Sequence, residues 1–382
     1  MGSSEDRLKT STNLFSLELY QALRKDGENL IFSPIGLQIL IAMTLEGADG
    51  KTANEIAKVL HHSKNDKEIL EGYKAMINSL VHPYLETATR MYVENTLEIK
   101  KNFKSLTSEY FQSEINPQDF NNNPQGSRRD INKWAEEKTN HKIIDLLPQG
   151  SIDADAKLIM INAIYFYAQW KSKFEKKNTV EMNFYVTPKK TVTVNMMSTN
   201  KPLVFMENQK LDAKIVKLSF LDEAFSMIII LPNKMDGLPA MENKLKSVNL
   251  AEVISSHQYQ TVNLMLPRFK IEKTIDVSDW LMQHTPIVFS DKANLSGITD
   301  GLLSISKVVQ KAFIEVNEAG AEAAATTGIV VMPRSRTVAQ EMKCDHPFFF
   351  QIIKDDLTLF RGALTEPEIE KRPSSKEKIP HL

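Results

Sequence analysis

"EVNEAGAEAAATTGIVVMPRSRT", Glu315 to Thr337, runs from an acidic start through small side chains to an Arg-Ser-Arg cluster. Two readings of it compete. Alanine is the best helix former, so "AEAAATT" on its own reads as a helix or a flexible linker. With a period of two, however, Ala321, Ala323, Ala325, Thr327, Ile329 and Val331 share one face, and all are small or apolar. A sheet could bury that face. The alternates Glu322, Ala324, Thr326 and Gly328 can stay near solvent without buried charge, and no proline or bulky aromatic interrupts the run before Pro333.

The surrounding chain sets few limits on partners. Its 382 residues leave ample material for a core, and 47 basic against 48 acidic side chains give no excess charge that would recruit nucleic acid or a membrane surface. Cys344 is the only cysteine, which excludes an intramolecular disulfide, a zinc ribbon and a paired redox motif. The longest apolar run, Leu30 to Leu45, is broken by Ser33, Pro34 and Gln38 and is too short to span a bilayer, so it reads as a buried segment. No repeat and no linker divides the chain, giving one domain over 1–367 and a charged, breaker-rich tail over 368–382. Residues 1–11 carry no secretory signal, which reads as a mature extracellular chain without its signal peptide, with a cytoplasmic chain as the alternative.

Helical patterning dominates the first part. Phe15, Leu19 and Ala22 share a face behind Thr12 or Asn13 as cap, and "SRRDINKWAEEKTNHKIIDLL" has apolar residues near a 3.6 period. Later runs, "TVTVN", "AKIVKLSF", "SMIIILP", "TVNLMLP" and "AFIEVNE", are β-branched or alternating and read as strands. The fold class is α+β. Enzyme signatures fail: "GADGKT" has two residues between glycines where a phosphate loop needs four, His61-His62 cannot share a helical face, and neither HExxH nor G-x-S-x-G occurs. No metal site follows from the sequence.

From Asn29, "NLIFSPIGLQILIAMTLEGADGKT" resembles the helix B region of the serpins, the serine protease inhibitor family. "INAIYFYAQWKSKFEKKNT", "SMIIILP", "LPRFKIE", "NLSGIT", "KAFIEVNEAGAEAAATT" and "DHPFFFQI" followed by "TLFRGALTEP" continue the resemblance in order from Leu14 to Pro367. It implies three sheets, about nine helices and an exposed reactive-centre loop over about 318–343. It also implies a suicide substrate in place of an enzyme. Counting sixteen residues from Glu318 puts the scissile bond at Arg334-Ser335, with Arg336 as the alternative. Met332 and Pro333 would tune specificity, and Glu318, Gly320, Ala321, Glu322, Ala323, Ala324, Ala325, Thr326 and Thr327 would form the hinge. An arginine at the cleavage point selects a trypsin-like serine protease, whose primary pocket ends in a carboxylate. The partner is thus one protease held covalently by a monomer. The alternative is a noninhibitory serpin, a carrier or chaperone with a cleavable loop.

The same resemblance assigns Trp170, Asn162 and Ser33 to the region where the main sheet opens, with Glu318 and Arg268 pairing at the hinge. Three positions depart from it: Gly36 stands where a second serine is usual, Gln310 where a histidine is, and Ala321 where a threonine is commoner. A glutamine can donate and accept at once, so a hydrogen-bonded set of Ser33, Asn162 and Gln310 remains possible. No cofactor is required. Activation by a polyanion such as heparin has thin support: Lys100, Lys101, Lys104, Lys171, Lys173, Lys176 and Lys177 cluster, but the helix over Lys67 to Leu80 lacks a dense basic face. The sequon Asn294-Leu295-Ser296 coincides with a family turn.

Overall fold

The apolar run after Asn29 becomes a short strand, β1 (Leu30–Phe32), and then a helix buried on every side, α2 (Pro34–Gly47). Ser33 caps that helix by accepting from the Gly36 amide, and Pro34 sits in the first turn, where its missing N–H is harmless. A helix that is hydrophobic all round has nowhere to go but the centre of the molecule. This computed structural model describes residues 4–64, 66–248, 250, 253, 259–321 and 339–368.

Around α2 pack α1 (Ser4–Leu23), α3 (Gly50–Leu60), α4 (Lys67–Leu80) and α5 (Lys101–Phe111). Thr12 and Asn13 lie inside α1 and do not cap it; the Thr12 hydroxyl donates back to the Leu8 carbonyl at 2.8 Å, which satisfies it within the helix. Helix α6 (Pro124–Lys138) starts at the Asn123 cap and stops there, because Asn140 and His141 both take a positive φ. The periodic pattern up to Leu147 is therefore half helix and half turn. Two further helices, α7 (Leu238–Lys244) and α8 (Ser278–His284), complete the eight longer helices among the described residues.

The strands among the described residues form three sheets. A five-stranded sheet joins β2 (Leu85–Glu94), β3 (Ile115–Gln118), β4 (Leu158–Phe166), β11 (Phe269–Asp276) and β12 (Ile305–Val316) in the order β11-β12-β4-β2-β3. A nine-stranded sheet holds β1 with β6 (Val180–Thr187), β7 (Lys190–Asn208), β8 (Ala213–Ser219), β9 (Phe225–Pro232), β10 (Tyr259–Pro267), β14 (Gln340–Lys343), β15 (Phe348–Lys354) and β16 (Leu357–Leu364). The third is a two-stranded fragment of β5 (Ala168–Gln169) and β13 (Gly320–Ala321). The runs read as strands from their β-branched alternation fall in β7, β8, β9, β10 and β12.

Two cores flank the five-stranded sheet. Leu158, Met160, Ile164 and Phe166 of β4 face the main core around α2. Ile159, Ile161, Ala163 and Tyr165 face a second, smaller core built with Ile131 and Ala135 of α6 and with Ile143, Leu146, Leu147 and Ile152 of the segment after it. Every residue of β4 is consequently buried.

Cys344 is fully buried, and burial beside Asp345 pushes its thiol well above the usual range. With one buried thiol and no disulfide, the fold needs neither a reducing nor an oxidising compartment. An aromatic disulfide reagent at neutral pH is expected to leave the native protein unlabelled and to titrate one thiol after guanidinium denaturation; fast native labelling would contradict the burial.

Candidate functional site

The five-stranded sheet has an irregular centre. β4 pairs with β2 antiparallel and β12 with β11 antiparallel, yet β4 and β12 themselves lie side by side in parallel, from Ile305 opposite Leu158 to Ile314 opposite Phe166. A strand placed between two parallel strands and running against them would pair antiparallel with both, the stronger ladder geometry. The chain leaving β12 by a tight turn arrives with that direction.

That turn is present. Asn317 and Gly320 exchange hydrogen bonds of 2.9 and 3.2 Å, with Glu318 and Ala319 between them, and β13 then pairs antiparallel with β5, Gly320 opposite Gln169 and Ala321 opposite Ala168. Gly320 is obligatory here. Its φ is +141°, and a Cβ would stand 2.0 Å from the Ala168 carbonyl and 2.5 Å from the Gln169 Cα.

Side chains from four directions hold the turn. The Trp170 indole N–H donates to the Asn317 carbonyl at 2.9 Å, its backbone N–H to the Ala319 carbonyl at 2.9 Å, and its ring stacks on Phe220 with centroids 4.4 Å apart. The buried Glu318 carboxylate accepts from the Thr179 hydroxyl at 2.7 Å and pairs with Arg268 at 3.4 Å. The Phe174 amide donates to the Glu318 carbonyl at 2.9 Å. Asn317, Thr179, Phe174 and Phe220 went unnoticed in the sequence, where nothing local distinguishes them from neighbouring polar and aromatic residues.

Midway down the sheet a polar row crosses three strands. Asn162 and Gln310 are register partners across the parallel pair, and the Gln310 amide donates to Asn162 Oδ1 at 2.7 Å; the Asn162 amide donates to the Thr89 hydroxyl of β2 at 2.8 Å. Gln310 also donates to the Ser33 carbonyl at 2.8 Å and accepts from the Ser33 N–H at 2.7 Å. Ser33, Asn162 and Gln310 are fully buried, so the row ties the sheet to the start of α2. The predicted set is assembled, with Thr89 as an added member.

Gly320 and Ala321 are the last hinge residues described; Glu322, Ala323, Ala324, Ala325, Thr326, Thr327, Met332, Pro333, Arg334, Ser335 and Arg336 lie outside the described residues, as does the chain from 369 onward. The description resumes at 339, leading into β14.

Residues 10–367 match the family model "Serpin (serine protease inhibitor)". The chain belongs to the serpin family. Human Serpin B4 is 36% identical to it, over 94% of this chain and 99% of that protein. Serine protease inhibitor 42Dd of Drosophila melanogaster is 35% identical, over 92% and 95%. Among solved structures, Serpin48, described as a highly specific serpin of the insect Tenebrio molitor, superposes with a TM-score of 0.87 at 31% identity, covering 95% of this chain and 99% of that one.

The departure of this serpin at Gly36 has a steric cause. A Cβ there would fall 2.3 Å from Asn162 Oδ1 and 2.5 Å from its Cγ, so the amide occupies the space a serine side chain would need. Elsewhere, Lys100, Lys171 and Lys177 of the basic clusters are each engaged by an acid, Asp300, Glu223 and Glu175. Gly36→Ser is expected to displace Asn162 and to destabilise the native state by about 1–3 kcal/mol in urea denaturation. In an Asn162→Ala background the same change should cost clearly less; an equal cost in both backgrounds would remove the contact as the cause.

Proposed function

We propose that this serpin is a suicide-substrate inhibitor of trypsin-like serine proteases, cleaved after Arg334 and acting as a monomer on one protease at a time. The observation that carries the proposal is the parallel β4–β12 pair with β13 seated at its open end. The protease serine Oγ attacks the Arg334 carbonyl, the Arg334–Ser335 amide bond breaks, the Ser335 nitrogen leaves as an amine after taking a proton, and an ester links Arg334 to the enzyme. Freed at that end, the segment from Ala321 inserts as a new strand and drags the acylated protease with it before water reaches the ester.

The registers support insertion. Followed along β5 and back into β4 from Gly320 opposite Gln169, the inserting chain reaches Asn162 with Thr327. Followed down β12 from Gly320 opposite Asn317, it reaches Gln310 with the same Thr327. Asn162 and Gln310 are already register partners, so both edges of the gap accept one strand without slippage. Thr327 then takes over the polar row with a hydroxyl that can both donate and accept, while Ala323 and Ala325 enter the main core.

The alternate face changes meaning. In this register Ala324 falls between Tyr165 and Phe313, whose rings lie 5.2 Å apart, and Gly328 between Ile161 and Val309. Those positions lie in the core beneath α6 and away from solvent, which gives the small size of Ala324 and Gly328 a reason of its own. Only Glu322, level with Glu315 and Tyr167, falls beyond that cover. The reading invokes no cofactor and no polyanion.

Incubation with trypsin followed by denaturing gel electrophoresis should give a protease complex that survives detergent, with mass spectrometry placing the released peptide's start at Ser335. Loop cleavage without any complex would overturn the inhibitor reading in favour of a noninhibitory serpin, and a peptide starting at Thr337 would move the reactive residue to Arg336. Cleaved protein should melt about 10 °C or more above the intact form, as expected for several kcal/mol of added sheet. Ala324→Trp should be cleaved normally yet form little complex, because both faces of the inserted strand are covered. Full complex formation by that variant would refute the register.

A further inference from the structure

Between the turn at Glu318 and the polar row at Asn162, one more contact closes the junction of β4 and β12. Tyr165 and Phe313 are register partners across the parallel pair, both buried, and their rings meet edge to face with centroids 5.2 Å apart. Of the register pairs between these two strands, this one alone carries an aromatic ring on each side. It stands next to the open end, with Phe166 and Ile314 above it and the pair of Asn162 and Gln310 further down. An entering strand therefore reaches the rings before it reaches the amides.

Both rings are held in place from behind. Tyr167 stacks on Tyr165 with centroids 5.3 Å apart, and the Lys270 ammonium of β11 sits 4.9 Å from the centre of the Phe313 ring. The Lys142 ammonium lies 5.6 Å from the centre of the Tyr165 ring, within reach of a cation–π contact. Lys142 belongs to the turn after α6, and that turn is tied to β12, where the Lys311 ammonium donates to the Ile144 carbonyl at 2.6 Å. Its contact with Tyr165 on β4 thus spans the junction as well. The Tyr165 hydroxyl is buried and has no hydrogen-bond partner among the described residues, so this position uses its ring and not its O–H.

Neighbouring strands lie about 4.8 Å apart, and a strand admitted between them moves each to about 10 Å from the other. Aromatic pairs act over centroid distances up to about 7 Å, so the contact of Tyr165 with Phe313 is lost during entry. We propose that this pair is a positioning element of the trapping reaction, an aromatic clasp that keeps the upper junction shut and limits how fast a strand is admitted. In the register derived above, Ala324 arrives at its level, and a methyl group leaves the two rings room to pack on either side of the new strand. The inference rests on the insertion of the segment after Ala321 proposed above, and not on which protease acts or which bond is cut.

Uptake of an acetylated peptide with the sequence of residues 322–331 by the intact protein tests the clasp without any protease. Uptake is read as the fraction that survives heating at a temperature that unfolds each untreated form. Phe313→Leu and Tyr165→Leu should each take up the peptide about two- to tenfold faster than the unaltered chain, the factor that one aromatic pair represents. The double variant should be little faster than either, because both single changes remove the same contact. Tyr165→Phe, which keeps the ring, should leave the rate unchanged, and so should Phe15→Leu, a buried substitution in α1 away from the junction, whatever it does to the urea midpoint. Lys142→Met, at a partly exposed position, should speed uptake about twofold, and it decides the matter if the leucine variants do not fold. Uptake by the unaltered protein at a rate that the folded variants do not change, or single effects that multiply in the double variant, would overturn the clasp. No uptake by any form would overturn the insertion reading itself, and the clasp with it.

Discussion

Everything distinctive in this molecule depends on two parallel strands being neighbours. β4 and β12 run the same way side by side and are separated in the chain by more than half of the nine-stranded sheet. Parallel neighbours share slanted bonds and are slightly weaker per residue than antiparallel ones. The junction is therefore a weak line at the centre of the sheet, and the structure reinforces it from both sides. On one side the amides of Asn162 and Gln310 lock it to the start of α2; on the other, Lys311 of β12 donates to the Ile144 carbonyl at 2.6 Å and pairs with Glu272 of β11 at 2.6 Å. A metastable sheet has to be held shut, and here the holding groups can be named.

The turn at Glu318 explains how such a lock coexists with a trigger. Residues 317–321 occupy the mouth of the junction, fixed by Trp170, Thr179, Phe174 and Arg268, while the junction below is closed. In the mechanism we propose, strand entry therefore begins from a formed nucleus. Loop-closure entropy is already spent when the first pair of residues is in register, and each later residue adds contacts on two sides.

Much of this was legible in the sequence and some was not. β-branched alternation in "TVTVN" or "SMIIILP" speaks for itself, because side-chain packing against both neighbours in a sheet selects those residues locally. Of the small alternation from Ala321, only Ala321 itself falls within the described residues, at the end of β13. The second core did not announce itself: α6 and the turns up to Ile152 cover β4 from the far face, and no local pattern in Ile159 or Tyr165 says which distant segment lies above. Gly36 could be noticed as a departure, but only the position of the Asn162 amide gives its cause. Thr12 and Asn13 looked like caps because hydroxyl and amide side chains favour helix starts, whereas Thr12 satisfies itself inside the helix.

Gln310 carries one more consequence. The bonds that close the junction run from Thr89 through Asn162 and Gln310 to the backbone of Ser33, a chain of hydroxyl, amides and peptide groups. None of these takes up or releases a proton between about pH 5 and 8, the range in which an imidazole at the same place would change charge. The hydrogen bonds of this row are thus the same in an acidified vesicle as in neutral fluid.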